Sequence, residues 1–270
     1  MICLLYHVRV TIGFIYLWQI FKSLYWFTMQ SLASDDKILS IDIGGSRIKA
    51  TILDPEGNML MDFQKISTPS IPDPKNVVQA ILDLTQNFQD YHRVSVGFPG
   101  YTRLGIVHTA PNLGTAHWSG VDLSKLLNDV LNRPVRVLND ADMQGLGVIR
   151  GSGLEMVITL GTGFGTAVFL EGSLLPHLEI AHHPVSKDRT YDEYIGDRAL
   201  IDVGLEKWNK RLKKVIGILQ TVFNYDHLFI GGGNSKRITF DIDETITLVS
   251  NADGIKGGAK VWQREMYFMV

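Results

Sequence analysis

The chain has 270 residues, 45% hydrophobic and 20% charged, which excludes collagen and intrinsic disorder and suffices for one large domain or two smaller ones. Its 26 Lys and Arg against 28 Asp and Glu leave a net charge of −2, with no excess of cations for a nucleic-acid backbone or an anionic membrane. The single cysteine, Cys3, can form neither an internal disulfide nor a cysteine-rich zinc cluster, and it fits a reducing compartment.

Residues 1–36 form an apolar N-terminal extension, and from Met1 to Ala33 only Arg9 and Lys22 are charged. As a helix the uncharged run Val10 to Phe21 would span ~18 Å, short of the ~30 Å of a bilayer core, so a membrane span would have to carry or snorkel Lys22. A signal peptide is a second reading, with Arg9 before the apolar run and small residues at Ser31-Leu32-Ala33. In the third, Met29-Gln30-Ser31 is the true start of a cytoplasmic protein and the upstream residues come from too early a start codon.

Beyond Lys37, strand and helix patterns alternate, as in an α/β protein. Strands are predicted at Ile38 to Ile43 and Ile48 to Leu53, then a turn at Asp54-Pro55-Glu56-Gly57-Asn58 and a third strand at Met59 to Gln64. Asp73-Pro74 caps a helix whose apolar face is Val77, Ile81, Leu84 and Phe88. A strand at Val94 to Phe98 follows. Asp122 caps a helix bearing Leu123, Leu126, Leu127 and Val130, and the strand Val135 to Leu138 ends at Asn139-Asp140. Further strands are expected at Met156 to Leu160, Ala167 to Leu170 and His227 to Ile230, with a long helix at Leu205 to Phe223 and a last one over 254–265.

The order strand, glycine loop, strand, glycine turn occurs twice. It runs from Ile41 through Gly44-Gly45-Ser46 to Gly57, and from Ile158 through Gly161-Thr162-Gly163 to Gly172. Such an echo suggests a duplicated domain with its two loops facing across a cleft, and divides the chain into a small lobe, 37–138, and a large lobe, 139–270. Glycine turns bring backbone N–H groups close to a polyphosphate, and neither loop has the Walker or dinucleotide spacing. Lys49 lies just beyond the first loop. A third run, Gly231-Gly232-Gly233, follows an apolar strand, is expected to open a helix, and suits a ribose or adenine.

Asp42, at the end of the first strand, would repel a phosphate unless a divalent cation lay between, so its expected role is to hold Mg²⁺, directly or through water. In Leu138-Asn139-Asp140-Ala141-Asp142 two acids follow a buried strand; Asp140 is the expected general base and Asp142 the helix cap. Asn112, Asn139, Asp140, Glu179 and His182 have the donors and acceptors that hold sugar hydroxyls. Glu179 with His182 and His183 would alternatively suit a metal, but no clear second ligand pair supports zinc.

Taken together, Ile41 to Ala50, Gly97-Phe98-Pro99-Gly100, Pro111-Asn112, Leu138 to Asp142, Leu160 to Ala167, Ile230 to Gly233 and Asn251 to Ala259 resemble the ROK family of sugar kinases. That family lies within the actin-like ATPase superfamily, and the likeness is greatest to its short polyphosphate-using glucokinase branch. The resemblance implies two actin-like, ribonuclease H-like α/β lobes with an interlobe cleft, and a final helix packed back on the small lobe. It implies a cytoplasmic kinase that moves a phosphoryl group from ATP or polyphosphate to the 6-hydroxyl of glucose or a related hexose, using Mg²⁺. Asp140 resembles the catalytic base, and Asn112, Asn139, Glu179 and His182 fall where glucose hydroxyls are bound.

Three departures stand out. Glu179-Ile180-Ala181-His182 lacks the family's usual glycine, the family's zinc loop is absent so that no zinc is expected, and Gly45-Ser46-Arg47 replaces the commoner Gly-Thr-x, with Arg47 and Lys49 placed to serve a long anionic donor. The alternative is a non-catalytic sugar sensor or regulator of the same family, whose DNA-binding members carry an N-terminal helix-turn-helix that the apolar extension does not resemble. The oligomer is left open, a homodimer included.

Overall fold

The computed structural model describes residues 35–263; residues 1–34 of the apolar extension and the last two positions of the helix expected over 254–265 lie outside the described residues. The first sheet comprises β1 (Ile38–Ile43), β2 (Arg47–Leu53), β3 (Gln64–Ser67), β4 (Arg93–Phe98) and β5 (Val135–Asn139) in the order β3-β2-β1-β4-β5. β1 and β3 run antiparallel to β2, whereas β4 pairs in parallel with both β1 and β5. Ile38, Leu39, Ile41 and Ile43 are all fully buried, because a central strand covered on both faces needs a continuous apolar run rather than alternation. Helix α1 (Pro74–Thr85) starts where Asp73 accepts from the Asn76 N–H at 2.8 Å and buries Val77, Ile81 and Leu84. Helix α2 (Leu123–Leu131), capped by Asp122, buries Leu123 and Leu127 but leaves Leu126 and Val130 40% and 44% exposed, so its apolar face is narrower than the sequence pattern suggests.

Helix α3 (Asp140–Val148) leads from β5 to the second sheet, made of β6 (Leu154–Leu160), β7 (Phe164–Leu170), β8 (Ser173–Leu174), β9 (His227–Gly231) and β10 (Ile246–Leu248). Its order, β8-β7-β6-β9-β10, and its pairing directions repeat those of the first sheet strand for strand. The helices α4 (Tyr191–Ile195), α5 (Asp197–Val203) and α6 (Leu205–Phe223) fall between β8 and β9. α6 buries Trp208, Leu212, Val215, Ile216 and Leu219, the stripe expected of a helix laid on a sheet. Among the described residues no helix is long and apolar enough to cross a membrane.

The described residues end with α7 (Asn251–Gly254) and α8 (Gly257–Gln263). α3 has no single apolar stripe because it packs on many sides, against β4 and β5, against β6 and β7, and against α7 and α8. The approach of α8 needs a residue without a side chain, since a Cβ on Gly257 would overlap the Met143 carbonyl oxygen. α8 also lies against β1 and β4. There the buried Ser95 hydroxyl donates to the Gly258 carbonyl at 2.5 Å and accepts from Trp262 Nε1 at 2.9 Å. Two guanidiniums flank the Trp262 ring, Arg136 at 4.4 Å and Arg93 at 5.0 Å, and burial together with Arg93 lowers the Arg136 pKa to about 10.

Three expected elements differ. The third strand begins at Gln64 rather than Met59, because residues 59–63 bond β2 irregularly, through Leu60 N–H to the Ile52 carbonyl at 2.8 Å and Thr51 Oγ1 to the Met61 carbonyl at 2.6 Å. The run Gly231-Gly232-Gly233 opens only a single 3₁₀ turn, Ser235–Arg237, as the chain stays bound to the end of β6 through Asn234 N–H and the Leu160 carbonyl at 3.0 Å. The final helix is split in two at Ile255 and Lys256, its first part set by a capping box between Ser250 and Asp253.

Truncating Trp262 to Ala removes the buried ring, the Ser95 bond and both cation–π contacts, and is expected to destabilise the fold by about 3–5 kcal/mol. Urea unfolding of the two proteins measures the difference.

Candidate active site

Strand register assembles the acidic centre. Asp42 pairs with Gly97 across β1 and β4, and Gly97 with Leu138 across β4 and β5, so the ends of three adjacent parallel strands are level. Asp42 and the start of α3 therefore share one edge of the sheet, the place where open α/β sheets leave a crevice. Glycine is required between them, because a Cβ on Gly97 would stand 2.8 Å from Met143 Cε and 3.4 Å from Asp140 Cα. Asp140 keeps a partly accessible surface within dense surroundings, and its Oδ1 accepts the Ala141 N–H at 2.9 Å. Burial, and next the charge of Asp42, push its pKa up to about 7. Asp42 itself is paired with Lys49, Nζ to Oδ2 at 3.0 Å.

The first glycine turn is closed by Gly44 N–H to the Arg47 carbonyl at 2.9 Å and braced by Thr68, whose hydroxyl donates to the Gly44 carbonyl at 2.6 Å. Gly45 and Ser46 are exposed, and Gly45 lies against Asn112, where an added Cβ would stand 3.3 Å from Asn112 Cβ. The second turn is closed by Gly161 N–H to the Gly163 carbonyl at 3.1 Å, leaving Thr162 exposed. One carboxylate and one backbone amide hold it. Asp192 Oδ1 accepts the Phe164 N–H at 2.5 Å, and the Asp197 N–H donates to the Gly161 carbonyl at 3.0 Å. The third run joins the second turn: Gly232 has φ +84°, a Cβ on it would collide with the Leu160 backbone, and Asn234 Nδ2 donates to Asp197 Oδ1 at 2.5 Å. The strand leaving the second turn reaches the first turn of α3, where a Cβ on Gly165 would stand 3.0 Å from Ala141 Cβ.

Glu179 and His182 lie 3.7 Å apart, Oε2 to Nε2, and Glu179 Oε1 accepts from Thr109 Oγ1 at 3.4 Å. Burial works against the Glu179 charge, but the His177 imidazole 3.6 Å away outweighs it and holds the carboxyl below its usual range. Glu179 in turn bears on Asp192, whose carboxyl is raised chiefly by burial. Asp42, Asp140, both glycine turns and the Glu179–His182 pair thus gather around the start of α3, with Asn112 attached through Gly45 and Gly231-Gly232-Gly233 through the second turn.

The cap of α3 is Asn139 and not Asp142. Asn139 Oδ1 accepts the N–H groups of Ala141 and Asp142 at 2.8 and 3.2 Å, and its Nδ2 donates to the Gly100 carbonyl at 3.1 Å, so most of its capacity is spent inside the protein. Asp142 points elsewhere and is buried against His177, Oδ2 to Nδ1 at 2.9 Å. Sequence reasoning passed over His177, Asp192 and Asp197. The available signals were three histidines within residues 177–183 and the capping-box pattern Thr190-x-x-Glu193 that starts α4.

A family model described as the ROK family matches residues 38–182. The polyphosphate glucokinase of Mycobacterium leprae (strain TN) is 31% identical over 220 residues, covering 78% of this chain and 66% of that protein. The polyphosphate glucokinase of Mycobacterium tuberculosis (strain ATCC 25618 / H37Rv) is 30% identical over 220 residues, covering 78% of this chain and 81% of that protein. The crystal structure of the inorganic polyphosphate/ATP-glucomannokinase from Arthrobacter sp. strain KM matches with a TM-score of 0.76 at 29% identity, over 84% of this chain and 98% of that one.

Because the Asp140 pKa is raised in the folded protein, the native state holds its proton more tightly than the unfolded chain. The protonated form's stabilisation is complete below the ordinary carboxylate range and is lost as pH rises through about 7. Asp140→Asn, permanently neutral, is therefore expected to melt higher than the parent at pH 8, with the difference shrinking at pH 5. Paired thermal melts at the two pH values test this.

Proposed function

The chain belongs to the ROK family as a glucokinase-type sugar phosphotransferase, and from that premise we propose how its residues divide the reaction. Asp140 takes the proton of the hexose 6-hydroxyl as the oxygen attacks the terminal phosphoryl group of the donor. The observation that carries this reading is a carboxyl at the start of α3 whose proton affinity burial and Asp42 raise to about 7, the range in which a base is both unprotonated and effective near neutral pH. Glu179, His182 and Asn112 accept and donate to the remaining hydroxyls, with Asn139 contributing its one uncommitted amide hydrogen.

The exposed residues of the first turn, Gly45 and Ser46, and of the second, Thr162, receive the phosphates, with Gly44, Gly161, Gly163 and Lys49 shaping and charging that surface. Gly231, Gly232 and Gly233 receive the nucleoside when ATP is the donor. Polyphosphate is the second donor, its length met by exposed Arg47 beside the first turn. The names of the relatives, polyphosphate glucokinase and inorganic polyphosphate/ATP-glucomannokinase, support both donors and glucose as acceptor. A cytoplasmic location fits a consumer of such donors.

The residues suit Mg²⁺. Asp42 and Asp140 concentrate negative charge where a phosphate must arrive, and Mg²⁺ is commonly held by one or two carboxylates together with substrate phosphates. Asp42 would hold it, directly or through water, in exchange for part of its pairing with Lys49. When bound, the ion neutralises charge on the donor's phosphates.

Full-length protein with glucose, Mg²⁺ and either donor is expected to form glucose 6-phosphate. Asp140→Asn should lower kcat by about 10²–10⁴-fold while leaving glucose binding measurable by calorimetry. In the parent, kcat/KM should rise with pH and level off above about 7, following the Asp140 carboxyl. Glucose binding with no turnover on either donor would instead favour a sensor.

A further inference from the structure

One imidazole joins the helix that carries Asp140 to the carboxylate assigned to the sugar. The His177 side chain is only 4% exposed, with Nδ1 2.9 Å from Asp142 Oδ2 and Nε2 3.6 Å from Glu179 Oε1. Asp142 is as deeply placed, its side chain 3% exposed. Nε2 is buried without a hydrogen-bond partner and faces Glu179 at just beyond bonding distance, so a movement of a few tenths of an ångström completes the bond. Aromatic neighbours fix the ring plane: Tyr101 stacks on it at 5.8 Å and 14°, and His108 stacks on Tyr101 at 5.0 Å and 25°.

A neutral imidazole has a single N–H and can donate to only one carboxylate, whereas an imidazolium donates to both. Although burial opposes the charge and also raises the Asp142 carboxyl, Asp142 and Glu179 together hold the His177 pKa up at about 10. The arrangement also divides Glu179 into two unequal halves. Oε1 accepts from Thr109 and faces His177, whereas Oε2 stands on the side of His182, whose side chain is half exposed.

We propose that His177 is a positioning residue for the phosphotransfer. As an imidazolium donating from Nδ1 to Asp142 and from Nε2 to Glu179, it fixes Glu179 relative to the first turn of α3 and leaves Oε2 as the oxygen offered to a hexose hydroxyl. Asp140 and Asp142 are successive odd positions of that turn, so the hydroxyl-binding carboxylate and the base are held by one rigid element. This rests on the hexose-kinase reading, with Glu179 on the sugar side.

The test compares full-length parent with His177→Asn, whose amide can still donate to Asp142 but cannot span to Glu179. The expected result is a rise in hexose KM on the order of tenfold, the size of one lost charge-assisted hydrogen bond, with kcat changed by less than about threefold and donor KM unchanged. A parental hexose KM, or hexose and donor KM rising together, overturns the proposal. Imidazole ¹⁵N spectra of the parent protein do not depend on whether the variant folds. At pH 8 His177 should show both nitrogens protonated, and saturating hexose without donor should shift its Nε2 resonance. A neutral His177 at that pH, or one indifferent to bound hexose, overturns the proposal as well. Absence of turnover by the parent with every hexose and donor would count against the kinase reading itself, which the variant comparison leaves separate.

Discussion

Negative charge is crowded at the beginning of α3, and the rest of the molecule is arranged around that crowding. Asp42 and Asp142 act on Asp140, and Glu179 on Asp142, through a small volume, with Lys49 set against Asp42, and His177 and His182 against the other carboxyls. A pair of carboxylates brought this close cannot both ionise at ordinary cost, so one retains a proton to higher pH. Asp140 and Asp142 are both pushed up, chiefly by burial, but Asp142 has His177 against it, whereas Asp140 has the added charge of Asp42 and, among the described residues, only the Ala141 N–H as a hydrogen-bond partner. A proton acceptor tuned in this way is what an attacking hydroxyl needs, and a centre so rich in acids is also one in which a phosphate donor needs cationic company.

Packing places the charge there. α3 is covered by strands of both sheets and by the last two helices, so its position is fixed from several directions. The missing side chain at Gly97 lets its first turn approach β4, and the one at Gly257 lets α8 close over it. α8 is fastened in turn through Ser95, Trp262 and the two guanidiniums flanking the indole ring. Trp262 thereby supports the placement of Asp140 through α8, which links the stability of this packing to the site.

Much of this was legible in the sequence because it depends on local patterns. Buried strands read as apolar runs, Asp73-Pro74 and Asp122 announced helix starts, and the repeated strand–glycine–strand order corresponds to two sheets with one strand order. What sequence could not reveal depends on meetings between distant segments. Asn139 and Asp142 are both good caps, and only the location of His177, thirty-five positions away, decides that Asp142 turns inward and Asn139 caps. The glycine run after β9 looked like a helix start, but its attachment to Leu160 leaves room for only one tight turn. Residues 59–63 kept a strand-like composition, yet their bonds to β2 are irregular.

The central claim is that Asp140 holds its proton to near neutrality in the ligand-free protein. Carboxyl ¹³C titration of protein labelled at aspartate, with the Asp140 signal assigned by its loss in Asp140→Asn, measures this directly. A midpoint at about 7 agrees with the arrangement described. A midpoint near 4, the ordinary aspartate range, would contradict it and remove the basis for assigning Asp140 as the base.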